Sequence, residues 1–576
     1  GGRIMGGRVP QAPKLSENSP KKEIVCGQNF SFRQEKEIVL LLAHVRISPT
    51  NSPKKRLQIL RMVYYNTQGT GFAHKIIWQN ICYYQRSSFI LMKYFDLLGA
   101  RKNDIISYLL LAVIVLGAFL FGQKAIQNEK RLSFDEHLYT VLADQLSRDP
   151  FDYSPRPFWK EAEPAMKDNQ DKVIAKGYLD VPLFKHPPLF SYLVAISQKM
   201  TSGNAISGKY MTLFFRLGLI VVVFFSCKAI WGSWWGILAA FFTGIEPVYT
   251  FCSQKIWIEG PCTFFIYLGI FFAILWQTSG RDRHLIISAV SLGLALLCKY
   301  SAVPGVIAAC AFLMLSGKMK DKTRFLAYCA LPFAVFSPWL IWNYAVFGPA
   351  FIQKIIGLNT SAVSGIGPSS GYIAGLVGGA ATAVIAIIAV YFLRHKKQAA
   401  YPNEIYEKYF KYLKNALGIF AALILAFSIG NIVNALNIRW YPPVSSSMHM
   451  YDNKPVIFAF SHLIEISPLY ILSFCSLFFL KDRKNAINVF LLLIAVTFVL
   501  FGKYASGEIR YITIATPAFM ILAVYTIKEM VSYITSQNEK TRGYVIFLLV
   551  FFLAYAVIKT IGFDLSYIIR NDFIFL

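Results

Sequence analysis

Charge is scarce in this sequence. Only 15% of its 576 residues are Asp, Glu, Lys or Arg, against about 25% in an ordinary soluble domain. Acidic residues are the scarcer kind, 31 against 58 basic ones, for a formal net charge of +27. This shortage excludes an ordinary cytosolic enzyme and a disordered tail. Paired cysteines are missing too. The nine cysteines include no CxxC pair and most lie in apolar runs, where cysteine behaves as a small hydrophobe, so zinc-site and disulfide-framework readings fail on spacing. No zinc-finger or RNP-type motif accompanies the basic excess, so nucleic acid is not an expected partner. What is abundant is apolar surface: 55% hydrophobic and 16% aromatic residues. The main solvent of such a chain is lipid.

Residues 1–104 have mixed composition, with 17 Lys/Arg and 6 Asp/Glu. Their longest apolar run, Ile38 to Ala43, is far too short to span a bilayer. No signal-peptide core stands near the start, and Met92 opens a stretch that reads like the natural beginning of a membrane protein. The expectation is a basic, poorly ordered cytoplasmic extension over 1–104, followed by a transmembrane domain over 105–576.

Apolar runs then recur near 105–122, 209–231, 232–250, 260–278, 284–299, 301–316, 325–347, 371–393, 415–436, 462–480, 486–501, 512–530 and 543–562. These predict an all-α polytopic membrane protein with about 13 transmembrane helices. With the N-terminus placed inside, the inner segments hold 19 basic residues and the short outer ones 9, the bias that the positive-inside rule describes. One outer segment stands apart. Residues 123–208 carry 11 basic and 11 acidic residues, and a loop that long is usually functional. Two amphipathic pieces within it, Phe134 to Leu146 and Leu189 to Met200 after a Pro-Pro start, read as interfacial helices.

Five constellations fall on the predicted outer face. Asp135 and Glu136 open the first interfacial helix; acids there suit the helix dipole, and they also suit a general base at the membrane surface. Lys185 and His186 precede Pro187-Pro188, which reads either as a rigid turn into a helix or as a fixed backbone that presents a cation to a phosphate. Glu259 stands just before the fourth run, as a helix cap or a second carboxylate. Lys299 ends the fifth run, free to snorkel or to meet an anion. Glu508, Arg510 and Tyr511 stand at another outer helix start, where arginine suits planar phosphate binding or a local pair with Glu508. The set combines carboxylates and cations with no metal-ligand spacing. Asp149, Asp152 and His186 are the residues that a divalent cation could use, unsupported by spacing, and no cofactor is expected. Met448-His449-Met450 reads as a loop contact.

The order DE-x-x-Y, KHPPLFSYL, Arg216-Leu217, IWIEGP, LALLCKYSA, PWLIWNYAVFG and EIRYITIATPAF resembles the GT-C membrane glycosyltransferases, with dolichyl-phosphate-mannose protein mannosyltransferases and lipid A aminoarabinose transferases as the nearest relatives. The resemblance covers about residues 105–530. It implies a sugar donor on polyprenyl or dolichyl phosphate, a protein, lipid or glycan acceptor, and transfer on the non-cytoplasmic side. That side faces outward from the plasma membrane of a prokaryote or into the endoplasmic reticulum of a eukaryote. It also implies that Asp135 is the base. Glu259 stands where the family usually has Asp, and Trp342 where it often has Arg, so a cationic role is lost there. The WWDYG motif of oligosaccharyltransferases is absent.

Leaving-group chemistry supplies a mechanism. A polyprenyl phosphate departs as a stable anion, so it needs cations, which Lys185, Lys299 and Arg510 could provide. The acceptor hydroxyl needs a base. One base and a charge clamp suit a single inverting displacement. The competing expectation is a lipid-sugar flippase or secondary transporter, which predicts charges within the membrane and paired broken helices.

Overall fold

The computed structural model describes residues 103–129, 132–155, 157–158, 186–317, 319, 321–349, 351, 463–464, 466–479, 486–501, 509–537 and 539–570. All of them belong to the unit Gly99–Leu576. The predicted runs at 371–393 and 415–436, the basic segment 1–102, Lys185, Glu508 and the Met448–Met450 loop lie outside the described residues.

The described chain is helical and multi-pass, as the apolar runs predict. Among the described residues, six helices are long and apolar enough to cross a membrane: Asn103–Asn128, Ser207–Trp231, Glu259–Ser279, Lys322–Phe347, Thr516–Thr535 and Arg542–Leu565. In chain order the helices are α1 (Asn103–Asn128), α2 (Phe134–Arg148), α3 (Leu189–Met200), α4 (Ser207–Trp231), α5 (Ser233–Gly244), α6 (Pro247–Cys252) and α7 (Glu259–Ser279). They continue with α8 (Asp282–Cys298), α9 (Val303–Ser316), α10 (Lys322–Phe347), α11 (Leu469–Cys475), α12 (Asn488–Phe501), α13 (Thr516–Thr535) and α14 (Glu539–Arg570).

One expectation needs correction. The run 232–250 is not a single helix but α5 and α6, divided at Glu246-Pro247. The cause is local. Glu246 takes an extended conformation as N-cap, its carboxylate accepting from the Val248 and Tyr249 amides at 2.9 and 2.7 Å, and Pro247 suits the first turn of a new helix.

Helix α7 lies at the centre, packed against α4, α8 and α9. Small residues let its neighbours approach. An added Cβ at Gly269 would stand 2.7 Å from Leu292, and one at Gly293 would stand 2.9 Å from the Pro332 carbonyl, so α7, α8 and α10 touch almost backbone to backbone. At the predicted inner end, the Asp104 carboxylate joins three helices by accepting from Lys228 at 2.9 Å and Ser233 at 2.6 Å. Helices α2 and α3 pack together and against the bundle, burying Leu138, Tyr139, Leu142, Phe190 and Val194.

A charged cluster lies deep in the bundle. Arg216 stands about 14 Å along α4 from its first residue, at 1.5 Å per residue. Its side chain is buried and donates to the Gly244 carbonyl at 2.6 Å and to Thr250 Oγ1 at 2.8 Å. Buried Glu246 accepts in addition from the Tyr470 hydroxyl at 2.5 Å. Buried Asp564, on α14, lies within electrostatic range of both.

Candidate functional site

The opposite end of the bundle from Asp104 gathers most of the acids and cations singled out in the sequence. Ser133 opens α2 as an extended N-cap in a capping box, with its amide donating to Glu136 Oε2 at 2.8 Å. The next two acids then part company. Asp135 points to the open side and accepts from Arg510 Nη1 at 2.6 Å, with 36% of its side chain exposed and 20% of that of Arg510. Glu136 points inward and is fully buried. Its Oε1 accepts from the Ile256 amide at 3.0 Å and lies 3.3 Å from the equally buried Lys209 Nζ. Glu136 is thus held by two backbone amides and Lys209, and removing one member of such a buried pair costs about 3–5 kcal/mol.

Arg510 is held by a short 3₁₀ turn, Ile509–Ile512, that leads into α13. Its carbonyl accepts from Thr513 Oγ1 at 2.6 Å. The guanidinium lies over the Trp257 indole, 4.9 Å from the ring centroid, and Trp257 packs edge-on against Phe251. The Tyr511 side chain lies outside the described set.

A second acid–base pair stands where α7 begins and α8 ends. Lys299 Nζ donates to Glu259 Oε1 at 2.7 Å, and both side chains are nearly buried. Tyr139, one helical turn after Asp135 on the same face of α2, lies within electrostatic range of Asp135, Glu259 and Arg510. Burial first, then the negative charge of Asp135, raises its phenol well above the usual range, so it is a hydrogen-bond donor at any ordinary pH.

The HPP element forms the wall beside this region. Tyr153 holds it, its hydroxyl lying 3.4 and 3.3 Å from the carbonyls of His186 and Pro187 and 3.3 Å from Ser191 Oγ. Burial raises the Tyr153 phenol. The His186 ring is 6.3 Å from that of Tyr139. Tyr153 also packs edge-on against Trp339, whose indole N–H donates to the Tyr300 hydroxyl at 3.4 Å. Trp342 meets exposed Phe151 at 5.6 Å, and Asn343 turns inward to donate to the Trp339 carbonyl at 2.7 Å.

Asp149 and Asp152 do not converge on a cation. Each accepts from a backbone amide two residues on, at 3.0 and 3.1 Å, as in Asx turns. Among the described residues no group of three His, Cys, Asp or Glu side chains is placed to hold a metal.

Sequence reasoning did not single out Lys209, Glu129, Lys255, Trp257 or Tyr153. The available signal was a lysine at the start of an apolar run, at Lys209, and another just before one, at Lys255. Lys255 pairs with Glu129, and Lys209 Nζ donates to the Glu129 carbonyl at 3.0 Å.

No curated protein matches the chain significantly. Among solved structures it is similar to the apo oligosaccharyltransferase of Archaeoglobus fulgidus, at 16% identity over 80% of this chain and 56% of that one, with a TM-score of 0.47. The same organism's archaeal oligosaccharyltransferase AglB, in complex with an inhibitory peptide and a dolichol-phosphate, gives 15% identity over 79% and 55%, with a TM-score of 0.44. This chain thus spans little more than half the length of those proteins. ArnT from Cupriavidus metallidurans bound to undecaprenyl phosphate gives 14% identity over 74% of this chain and 79% of that one, with a TM-score of 0.32. A family model matches as well. Glu259 and Lys299 fall inside the matched stretch, while Asp135 and Arg510 fall outside it. Residues 185–342 match the family described as dolichyl-phosphate-mannose-protein mannosyltransferase, which bears out the resemblance to membrane glycosyltransferases read from the order of the motifs.

Proposed function

We propose that this protein transfers a sugar from a polyprenyl- or dolichyl-phosphate donor to an acceptor hydroxyl at the non-cytoplasmic face of its membrane. That membrane is the plasma membrane in a prokaryote or the endoplasmic reticulum in a eukaryote. The observation that carries the reading is the Asp135–Arg510 pair at 2.6 Å, partly open to solvent beside the more enclosed Glu259–Lys299 pair. The match of residues 185–342 to a family named for a dolichyl-phosphate sugar supports the donor class.

The pair suits both halves of a displacement. In the free protein Arg510 neutralises Asp135. A donor phosphate competes for the guanidinium, since Arg binds phosphate in a planar, bidentate way. Once Arg510 turns to the phosphate, Asp135 accepts the proton of the acceptor hydroxyl. The oxygen attacks the anomeric carbon, the bond from that carbon to the phosphate oxygen breaks, and the lipid phosphate leaves as an anion held by Arg510 and Lys299, with Lys185 as a further cation. A single displacement of this kind, with one base and no covalent sugar–enzyme intermediate, gives inversion. Glu259 orients Lys299, Tyr139 donates to a sugar or phosphate oxygen, and His186 lines the donor side. Glu136 holds α2 in place rather than reacting.

The test is transfer by purified protein in liposomes from a panel of radiolabelled polyprenyl-phosphate sugars, with a membrane extract as acceptor. Wild-type transfer that is lost in Asp135→Asn while donor binding remains supports the reading. Transfer undiminished in Asp135→Asn defeats it. The deep cluster of Arg216, Glu246 and Asp564 is the one observation that favours the transport reading, because charges at membrane depth mark ion or substrate paths. Movement of donor across proteoliposomes without transfer would put that reading first.

A further inference from the structure

Four buried or half-buried charges alternate in sign next to the proposed site without taking part in the proposed step. They are Lys255, Glu129, Lys209 and Glu136. Lys255 pairs with Glu129. Lys209 Nζ reaches the Glu129 carbonyl at 3.0 Å and Glu136 Oε1 at 3.3 Å. Glu136 is tied to the Ser133 amide at 2.8 Å and the Ile256 amide at 3.0 Å. The Lys255 carbonyl in turn accepts from Thr212 Oγ1 at 2.8 Å. The row is neutral, and it joins four pieces of chain: the end of α1, the start of α2, the start of α4 and the 253–258 connection.

Those pieces carry one half of the reacting pair, Asp135, and the surface on which the other half, Arg510, lies. Asp135 is the residue before Glu136, so fixing Glu136 fixes the origin of α2 and the direction of Asp135. Trp257 is the residue after Ile256, and its indole is the surface on which the Arg510 guanidinium lies at 4.9 Å. One network therefore sets both the carboxylate and the shelf beneath its cation. We propose that Glu129, Lys209 and Lys255 are positioning residues, an electrostatic clasp that registers Asp135 against Arg510. The proposal rests on the reading of that pair as the site of glycosyl transfer.

Lys209 and Glu136 are so deeply buried that their variants risk misfolding, so the test uses the outer link. In the full-length protein in liposomes, Lys255→Met and Glu129→Gln are each expected to lower kcat by about tenfold, with the donor KM within about twofold, as for a lost orientation rather than a lost binding contact. Lys255→Arg, which keeps the charge, should retain most of kcat. In an Arg510→Met background the same two changes should cost less than about twofold, because interacting sites are not additive. A merely structural clasp predicts the opposite, equal losses in both backgrounds.

Amide hydrogen exchange gives a readout that needs no turnover. Peptides covering 132–137 and 254–258 should exchange faster in Lys255→Met and Glu129→Gln, while α7 and α13 stay unchanged. Additive kinetic losses, or unchanged exchange in those two peptides, would overturn the clasp. Absence of transfer in the wild type from every donor would defeat the functional reading instead, and exchange would still decide whether the clasp exists.

Discussion

Two clusters of charge in this bundle are closed in different ways. The deep one, Arg216, Glu246 and Asp564, is buried on every side, and Arg216 and Glu246 bond to fixed parts of the fold: the Gly244 carbonyl, the amides at the start of α6, Thr250 and Tyr470. The outer one pairs side chain with side chain, Asp135 with Arg510 and Glu259 with Lys299, and its first pair is partly open to solvent. A charge held by backbone has little to exchange with a ligand. A carboxylate and a cation paired at a partly open surface can be parted by a ligand that offers each a better partner. On the proposed reading, the contrast separates charges that make the fold from charges available for chemistry.

The sharpest way to break that contrast is Asp135→Asn. It should lower kcat by about 10²–10⁴-fold, the range for loss of a general base, and leave the thermal midpoint in detergent unchanged. A large drop in that midpoint would show Asp135 to be structural like Glu246. Next comes the reverse case. Arg216→Met leaves two buried carboxylates uncompensated and should destabilise by about 3–5 kcal/mol, seen as a lower thermal midpoint and poor yield. Full stability with lost donor binding would move Arg216 into the functional set. A smaller effect is expected from Arg510→Lys. The charge stays but the planar fork and the stacking on Trp257 are lost, so kcat/KM for donor should fall by about tenfold while stability holds.

The smallest effect is a pH dependence. Burial raises the Tyr139 phenol above its ordinary value of 10.0. The folded protein therefore keeps this proton where the unfolded chain loses it. Its contribution to stability is complete below about pH 10 and is lost as pH rises further. Tyr139→Phe should flatten the alkaline fall in thermal midpoint above that pH. An unchanged slope would show that Tyr139 does not contribute to it.

Periodicity and capping made much of this architecture legible. Leu189–Met200 has the bounds expected from its Pro-Pro start, and the Asp-Glu pair does open α2. The break at Glu246 was hidden because a single acid and a proline within nineteen apolar residues read as minor interruptions, although together they form a complete helix start. Within the site, residue types were readable but partners were not. Nothing in the order Asp135-Glu136 says which acid turns outward; that depends on Lys209 and the Ile256 amide, 73 and 120 positions further along. The Asp135–Arg510 pair joins residues 375 positions apart, a closure that only the packed bundle provides. Glu508, the nearer partner considered for Arg510, lies outside the described residues.

The indole beneath Arg510 has a consequence for which anions can settle there. A guanidinium stacked on a ring presents its N–H edge in one fixed plane, so the anion must supply two oxygens in that plane to gain the full interaction. Tetrahedral oxyanions do so, whereas chloride offers a single point and gains only its charge. On the proposed reading the stack works as a shape filter: adding sodium chloride should compete with the donor no more than general ionic screening requires, while inorganic phosphate or sulfate should compete at far lower concentration.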